Sequence, residues 1–277
     1  MPLPLRSISA VAALFTASVA AEALWFEPRS LEITHQRIEL SGWHAPAGLR
    51  VALLADLHVG APHVPLSRVP DLVAATNAEA PDIILLLGDY VIDGVLFGTK
   101  TPAADFAPML AELDAPLGVW AVMGNHDWWN DGEGMTRLFE ANGIQVLEDE
   151  HTLIHTDDGD FWLAALGDAM TRPYDIDAAL PPSDDHPTLL MTHSPQPFAQ
   201  IPPRATLTVA GHTHGGQIML PILGTPAQDP AIRLYLSGYI RHDARDLFVT
   251  RGIGTSVLPA RFGAPPEIAI LEIHPQP

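Results

Sequence analysis

Apolar residues in this chain gather into short unbroken runs that each end on a polar residue. The sharpest is PDIILLLGDY at 81–90, where positions 83–87 are wholly apolar, Pro81 stands at the entry and Gly88 and Asp89 at the exit. A run apolar on both faces predicts a strand buried on both sides of a parallel sheet. The same form recurs in VALLADLH (51–58), GVWAVMGNHD (118–127), TLLMTHSP (188–195) and TLTVAGHTHGG (206–216). Ligands in open α/β sheets bind beyond the carboxyl ends of the strands, so these polar ends are expected to converge on Asp89. Gly88 lets the backbone come close to whatever sits there.

The intervening segments fill in the architecture. Residues 66–79, bracketed by Pro65 and Pro81, and residues 103–113 predict crossover helices, and the order βαβαβ predicts a mainly parallel sheet. LEITHQRIEL (31–40) predicts an edge strand. Gly124, Asn125, His126 and Asp127 predict a tight turn, and residues 133–142 a helix stopped by Gly143. HTDDGD (155–160) predicts a solvated hairpin turn before a strand at 161–166, and the loop 169–187 is long enough to border a site. The runs LYLSGYI, DLFVTRGIGT and PEIAILEI predict a second sheet. The expected fold is α/β, a layered α/β/β/α sandwich with two packed mixed sheets.

The N-terminus stands apart. MPLPLR carries one positive charge, residues 8–21 are apolar or small, and Leu24, Trp25 and Phe26 extend the stretch. This predicts a signal or membrane-anchor segment over residues 1–26 ahead of one domain over 27–277. Small residues at 18–20 and 21–23 are candidate cleavage sites, an uncleaved anchor is the expectation, and a helix packed on the domain is the alternative. Arg6 ahead of the apolar run favours the outer, periplasmic face of the inner membrane as the expected side of the domain, with the cytoplasmic face as the alternative.

Composition narrows the partners. With 277 residues, 47% hydrophobic and 17% charged, the chain suits one α/β domain. A net charge of −19 argues against a nucleic-acid surface and leaves small-molecule or lipid partners. Composition fixes no oligomeric state. With no cysteine, any metal must rest on His, Asp, Asn or Glu.

The polar ends supply those types. They read D-x-H at Asp56 and His58, G-D at Asp89, G-N-H-D around Asn125 and His126, a lone His193, and G-H-x-H at His212 and His214. Strand alternation turns Asp56 and His58 the same way and makes His212 and His214 parallel. A strand-end Asp is often a helix cap, and a single buried His is more often a hydrogen-bonded core residue than a ligand. Seven such residues at the ends of apolar runs serve no packing need. Oxygen and imidazole donors suit two divalent ions such as manganese, iron or zinc.

This order of blocks resembles the calcineurin-like metallophosphoesterase superfamily from residue 50 to residue 273. GHTHGGQ followed by LPILG, and later VTRGIGTSVLPARFGAPPEI, resemble a bacterial branch of membrane-associated phosphoesterases, some of which hydrolyse phosphodiester or pyrophosphate bonds in lipids. The resemblance implies that Asp56, His58, Asp89 and His214 hold one metal and that Asp89, Asn125, His193 and His212 hold the second. Asp89 then bridges both, and His126 contacts the phosphate and stabilises or protonates the leaving group. Two cations about 3.5 to 4 Å apart on a shared carboxylate can bind a bridging hydroxide as nucleophile. The function expected is a dimetal phosphohydrolase acting on a phosphodiester or pyrophosphate in a lipid-linked substrate. The alternatives are a phosphomonoesterase, including a protein phosphatase, and a non-catalytic scaffold stapled by metals; a histidine beyond the ligand set favours an enzyme. Asp127 either orients His126 or caps the turn. Candidate pocket walls are the loop 94–101, Trp128, Trp129 and Asn130, and the apolar stretch 218–223, which core packing would explain equally well. Arg172, Arg233 and Arg241 are candidate phosphate contacts.

Overall fold

The computed structural model describes residues 5–225 and 233–276, with side chains from Val11 onward. Two six-stranded mixed sheets pack face to face. The first holds β1 (Glu32–Leu40), β2 (Leu49–Leu54), β3 (Ile83–Leu86), β4 (Val119–Ala121), β5 (Gln145–Val146) and β12 (Glu267–Pro275), in the order β1-β12-β2-β3-β4-β5. The second holds β6 (Glu150–Ile154), β7 (Phe161–Leu166), β8 (Thr188–Thr192), β9 (Leu207–Ala210), β10 (Gly238–His242) and β11 (Arg245–Val249), in the order β10-β11-β9-β8-β7-β6.

The unbroken apolar runs follow from this layering. In β3, Ile83 and Leu85 enter the core between the sheets, while Ile84 and Leu86 face the helices α2 (Val69–Ala78), α3 (Ala103–Leu110) and α4 (Asn125–Ala141). Successive side chains point to opposite faces, so a strand covered on both sides needs an apolar residue at every position. The outer face of the second sheet has a thinner cover, including the one-turn helix α5 (Ile176–Ala179).

The expected layers are present, but strands are shared out differently. PEIAILEI forms β12 in the first sheet, parallel to β1 and antiparallel to β2, instead of closing the second. The runs at 161–166, 188–192 and 207–210 build the second sheet instead of extending the sheet of Asp89. Doubly buried strands read alike in sequence, and only long-range pairing chooses between the sheets. The candidate site therefore lies where the rims of two sheets meet.

The N-terminal helix α1 (Leu5–Ala21) continues through a π-helical turn (Glu22–Phe26) and a 3-10 turn (Glu27–Arg29). Residues 11–20 are exposed on every side, so this part of the helix is not packed on the domain, whereas its continuation at Ala23 and Glu27 is hydrogen-bonded to it. Among the described residues no helix is long and apolar enough to cross a membrane. The side chain of Arg6, on which the expected orientation rests, lies outside those described.

Candidate metal centre

The predicted ligands come together, though not by strand alternation. β2 stops at Leu54 and β9 at Ala210, and the ligands follow in loops. Asp56, His58, Asp89, His212 and His214 all have positive φ, between 45° and 69°. Left-handed backbone at a residue with a Cβ costs about 1 kcal/mol or more, and here it is concentrated where side chains must be aimed. His212 and His214 consequently diverge, one to each half of the centre, instead of running parallel.

In the first half, His58 Nε2 and His214 Nε2 face each other at 3.2 Å, and Asp56 Oδ1 lies 3.6 Å from His214 Nε2. In the second, His193 Nε2 lies 3.1 Å from Asn125 Oδ1 and 3.0 Å from His212 Nδ1. Asp89 Oδ2 stands between them, 3.8 Å from His58 Nε2 and 3.4 Å from His193 Nε2. Two divalent ions fit this donor set. Asp56 Oδ1 is buried without a hydrogen-bond partner among the described residues, and imidazole nitrogens converge in pairs beside a carboxylate, an arrangement that a shared cation satisfies. The outer nitrogens of His58 and His193 face the carbonyls of Val91 at 3.1 Å and Leu87 at 2.8 Å. That directs each Nε2 lone pair inward.

Burial and close charge pairing shift the ionisation of these side chains strongly. Burial pushes the Asp56 carboxyl up to about 7 and lowers His58 to about 4 and His212 to about 3, with His214 well below its usual range. Neutral imidazoles are the form that binds metal. Burial disfavours both charges of the Asp89 and His193 pair, but their mutual attraction outweighs it, holding Asp89 well below the carboxylate range and raising His193 to about 10, so His193 must give up a proton to serve as a ligand.

Asn125 and His126 open helix α4 instead of standing in a free turn. Asp127 settles its own two readings: its carboxylate accepts the backbone N–H groups of Gly124, Asp89 and Tyr90 at 2.9, 2.8 and 2.9 Å. It caps the helix and braces the Asp89 loop, and His126 Nδ1 has no hydrogen-bond partner among the described residues. The His126 ring packs edge-on against His58 and Trp129, and its Nε2 lies 3.9 Å from Asp89 Oδ2. Geometry alone also admits His126 to a ligand group with His58 and Asp89. Gly88 and Gly124 explain the tight approach of the loops, since a Cβ on Gly88 would meet Gly124 N at 2.6 Å.

A cavity of about 450 Å³ opens over the ligands, with Asp89, His126, His212 and His214 at its polar side and Ile218, Val257 and Leu258 along its apolar wall. A larger cavity of about 540 Å³, near Ser41, Asp184 and Arg241, contains no ligand residue. The stretch 218–223 is not core: Ile222 and Leu223 are fully or largely exposed and Leu220 partly so. Phe97 and Trp129 are exposed too. Arg172 lies over the Trp128 ring and pairs with Glu148 at 3.6 Å, whereas Arg241 pairs with Asp246 and lines the other cavity. Sequence reasoning missed Arg261, fully buried beside His214; its one signal was its place within the VTRGIGTSVLPARFGAPPEI block.

The profile of the calcineurin-like phosphoesterase family matches residues 49–216. The chain is 30% identical over 278 residues to phosphodiesterase YaeI of Escherichia coli (strain K12), covering 97% of this chain and 98% of that protein. It is 29% identical over 256 residues to the uncharacterized metallophosphoesterase YkuE of Bacillus subtilis (strain 168), covering 91% and 88%. A transmembrane protein with metallophosphoesterase domain from Danio rerio is 29% identical over 240 residues, 80% of this chain and 52% of that one. The chain therefore belongs to the calcineurin-like phosphoesterase family and is a metal-dependent phosphoesterase.

Proposed function

We propose that this chain hydrolyses a phosphodiester or pyrophosphate bond in a lipid-linked substrate. The observation that carries the reading is the shared cavity, in which His126 and the ligand residues face an apolar wall of Ile218, Val257 and Leu258. Asp56, His58, Asp89 and His214 would hold one divalent ion, and Asp89, Asn125, His193 and His212 the other. Two such ions, manganese, iron or zinc, supply a water deprotonated near neutral pH as nucleophile and screen the charge of the phosphoryl group. His126 is placed to give its proton to the leaving oxygen, a role worth about 10²- to 10⁴-fold in rate. Trp129 against the His126 ring restricts its rotation. The apolar wall takes the acyl part of the substrate.

Membrane association belongs to the same reading. Val11, Leu14, Phe15, Leu24, Trp25 and Phe26 are exposed along the N-terminal helix, and Arg29 stacks on Trp25 at 3.5 Å, the pairing of aromatic and cation favoured at a bilayer interface. The helix base and the hairpin carrying Leu220, Ile222 and Leu223 are joined through Gly263, whose N–H donates to Glu27 and whose neighbour Phe262 accepts from Met219 N. The names of the Escherichia coli and Danio rerio relatives support a diester substrate and a membrane setting respectively. The outer face of the inner membrane is the proposed side, tested with a reporter fused at the C-terminus.

The deciding assay is hydrolysis of bis-p-nitrophenyl phosphate against p-nitrophenyl phosphate by chelated protein restored with Mn²⁺. Faster cleavage of the diester is expected. Preference for the monoester would make the chain a phosphomonoesterase, and no turnover of either with both metals bound would favour the scaffold.

A further inference from the structure

Arg261 is the one arginine fully buried among the described residues, and its partners are backbone carbonyls and one imidazole. Its Nε donates to Gly254 O at 2.9 Å, Nη1 to Ala264 O at 2.8 Å and His214 O at 3.3 Å, and Nη2 to Arg251 O at 2.9 Å and Gly252 O at 3.2 Å. Nη2 also lies 3.3 Å from His214 Nδ1. An apolar side chain could fill this volume without a buried charge, so packing is a poor reason for an arginine here. The fork does join two things that matter to one half of the centre. The segment it gathers cradles Asp56, with Gly254 N donating to Asp56 O at 2.6 Å and Ile253 N to Ala55 O at 3.0 Å. The same guanidinium backs the ring of His214.

The Arg261 segment is itself gripped from the N-terminus. Arg261 N donates to Ala23 O at 2.9 Å, and the N–H groups of Gly263 and Ala264 donate to the two Glu27 carboxylate oxygens at 2.9 and 2.7 Å. A continuous run of hydrogen bonds thus leads from the base of the N-terminal helix through Arg261 to Asp56 and His214. The second half is reached only one bond further on, through Asp56 Oδ2, which accepts from the backbone N–H of His212 at 2.9 Å, while the guanidinium itself touches only His214 of the candidate ligands.

We infer that Arg261 is a positioning residue for the ion held by Asp56, His58 and His214, and that the base of the N-terminal helix, through Ala23 and Glu27, keeps Arg261 in register. The helix is then part of the support of the metal centre as well as an exposed apolar segment. This inference rests on the two-ion reading above.

The test uses the full chain and calorimetric titration of chelated protein with Mn²⁺, alongside metal content after dialysis. Wild type is expected to take up two ions. Arg261→Met should weaken one of them by about 10- to 100-fold, the range for losing an outer partner of a ligand, and the other by a clearly smaller factor. Arg261→Lys, with the charge but not the fork, should fall between. Glu27→Ala, at a half-buried position away from the guanidinium, should weaken the same ion by a smaller factor and covers the case in which Arg261→Met does not fold. Arg261→Met added to Asp56→Asn should cause no further loss, which identifies the ion. Wild-type affinity for both ions in Arg261→Met and Glu27→Ala, or equal weakening of both in step with a fallen Tm, overturns the inference while leaving the two-ion reading intact. A wild-type chain that binds fewer than two ions defeats that reading and this inference with it.

Discussion

The carboxylate of Asp127 accepts the backbone N–H of Asp89 at 2.8 Å, across 38 positions of chain. The residue next to His126 thus braces the loop that carries Asp89. Because the same side chain also accepts from Gly124 and Tyr90, Asp127→Asn would set an amide NH₂ group against backbone donors. A loss of about 2–4 kcal/mol in urea unfolding is expected, with weaker Mn²⁺ binding. Unchanged stability would make the cap incidental.

One carboxylate oxygen of Asp89 faces imidazoles of both halves of the centre. Asp89→Ala is expected to lose both ions, measured as metal content after dialysis, and chelation of wild type to abolish hydrolysis. Full activity in a metal-free preparation would end the two-ion reading.

His126→Gln is expected to lower kcat by about 10²- to 10⁴-fold while metal content stays at the wild-type level. Its place near Asp89 and His58 makes metal content the informative readout, because loss of an ion in step with activity would make His126 a ligand.

Glu148 is largely buried behind β4, and this burial pushes its carboxyl up to about 7 from an ordinary 4.5. A raised carboxyl binds its proton more tightly in the folded state, so its contribution to stability is fullest below pH 4.5, declines as pH rises towards 7 and is flat above. Glu148→Gln keeps an acceptor for Met123 N and removes the buried charge. The variant should be more stable than wild type at pH 8 by about 1–3 kcal/mol, with the gain vanishing near pH 4. Denaturant midpoints across that range check it, and a gain that grows on acidification would reverse the assignment.

Leu220, Ile222 and Leu223 are exposed, so serine at all three should leave Tm within a few degrees of wild type. If they meet acyl chains, kcat/KM on a diacyl phosphodiester should drop at least several-fold while a small chromogenic diester is spared. Equal loss on both substrates would remove the hairpin from substrate recognition.

Much of this centre is legible in the chain itself. A strand covered on both faces must be apolar at every position, so β2, β3, β4, β8 and β9 announce themselves, and the Asp and His residues just past each run stand out because packing has no use for them. The helices α2 and α3 and the turn at 155–160 follow from equally local signals. Three features came only with the tertiary structure. Periodicity carries no record of the partner strand, so the placing of β12 between β1 and β2 and the division of the ligand-bearing strands between two sheets depended on long-range pairing. The left-handed turns at Asp56, His58, His212 and His214 replaced strand alternation, because loops are held by contacts with other loops. Arg261 acquires its place beside His214 from a segment 47 residues further along, by hydrogen bonds to carbonyls, which every residue carries and no sequence pattern marks.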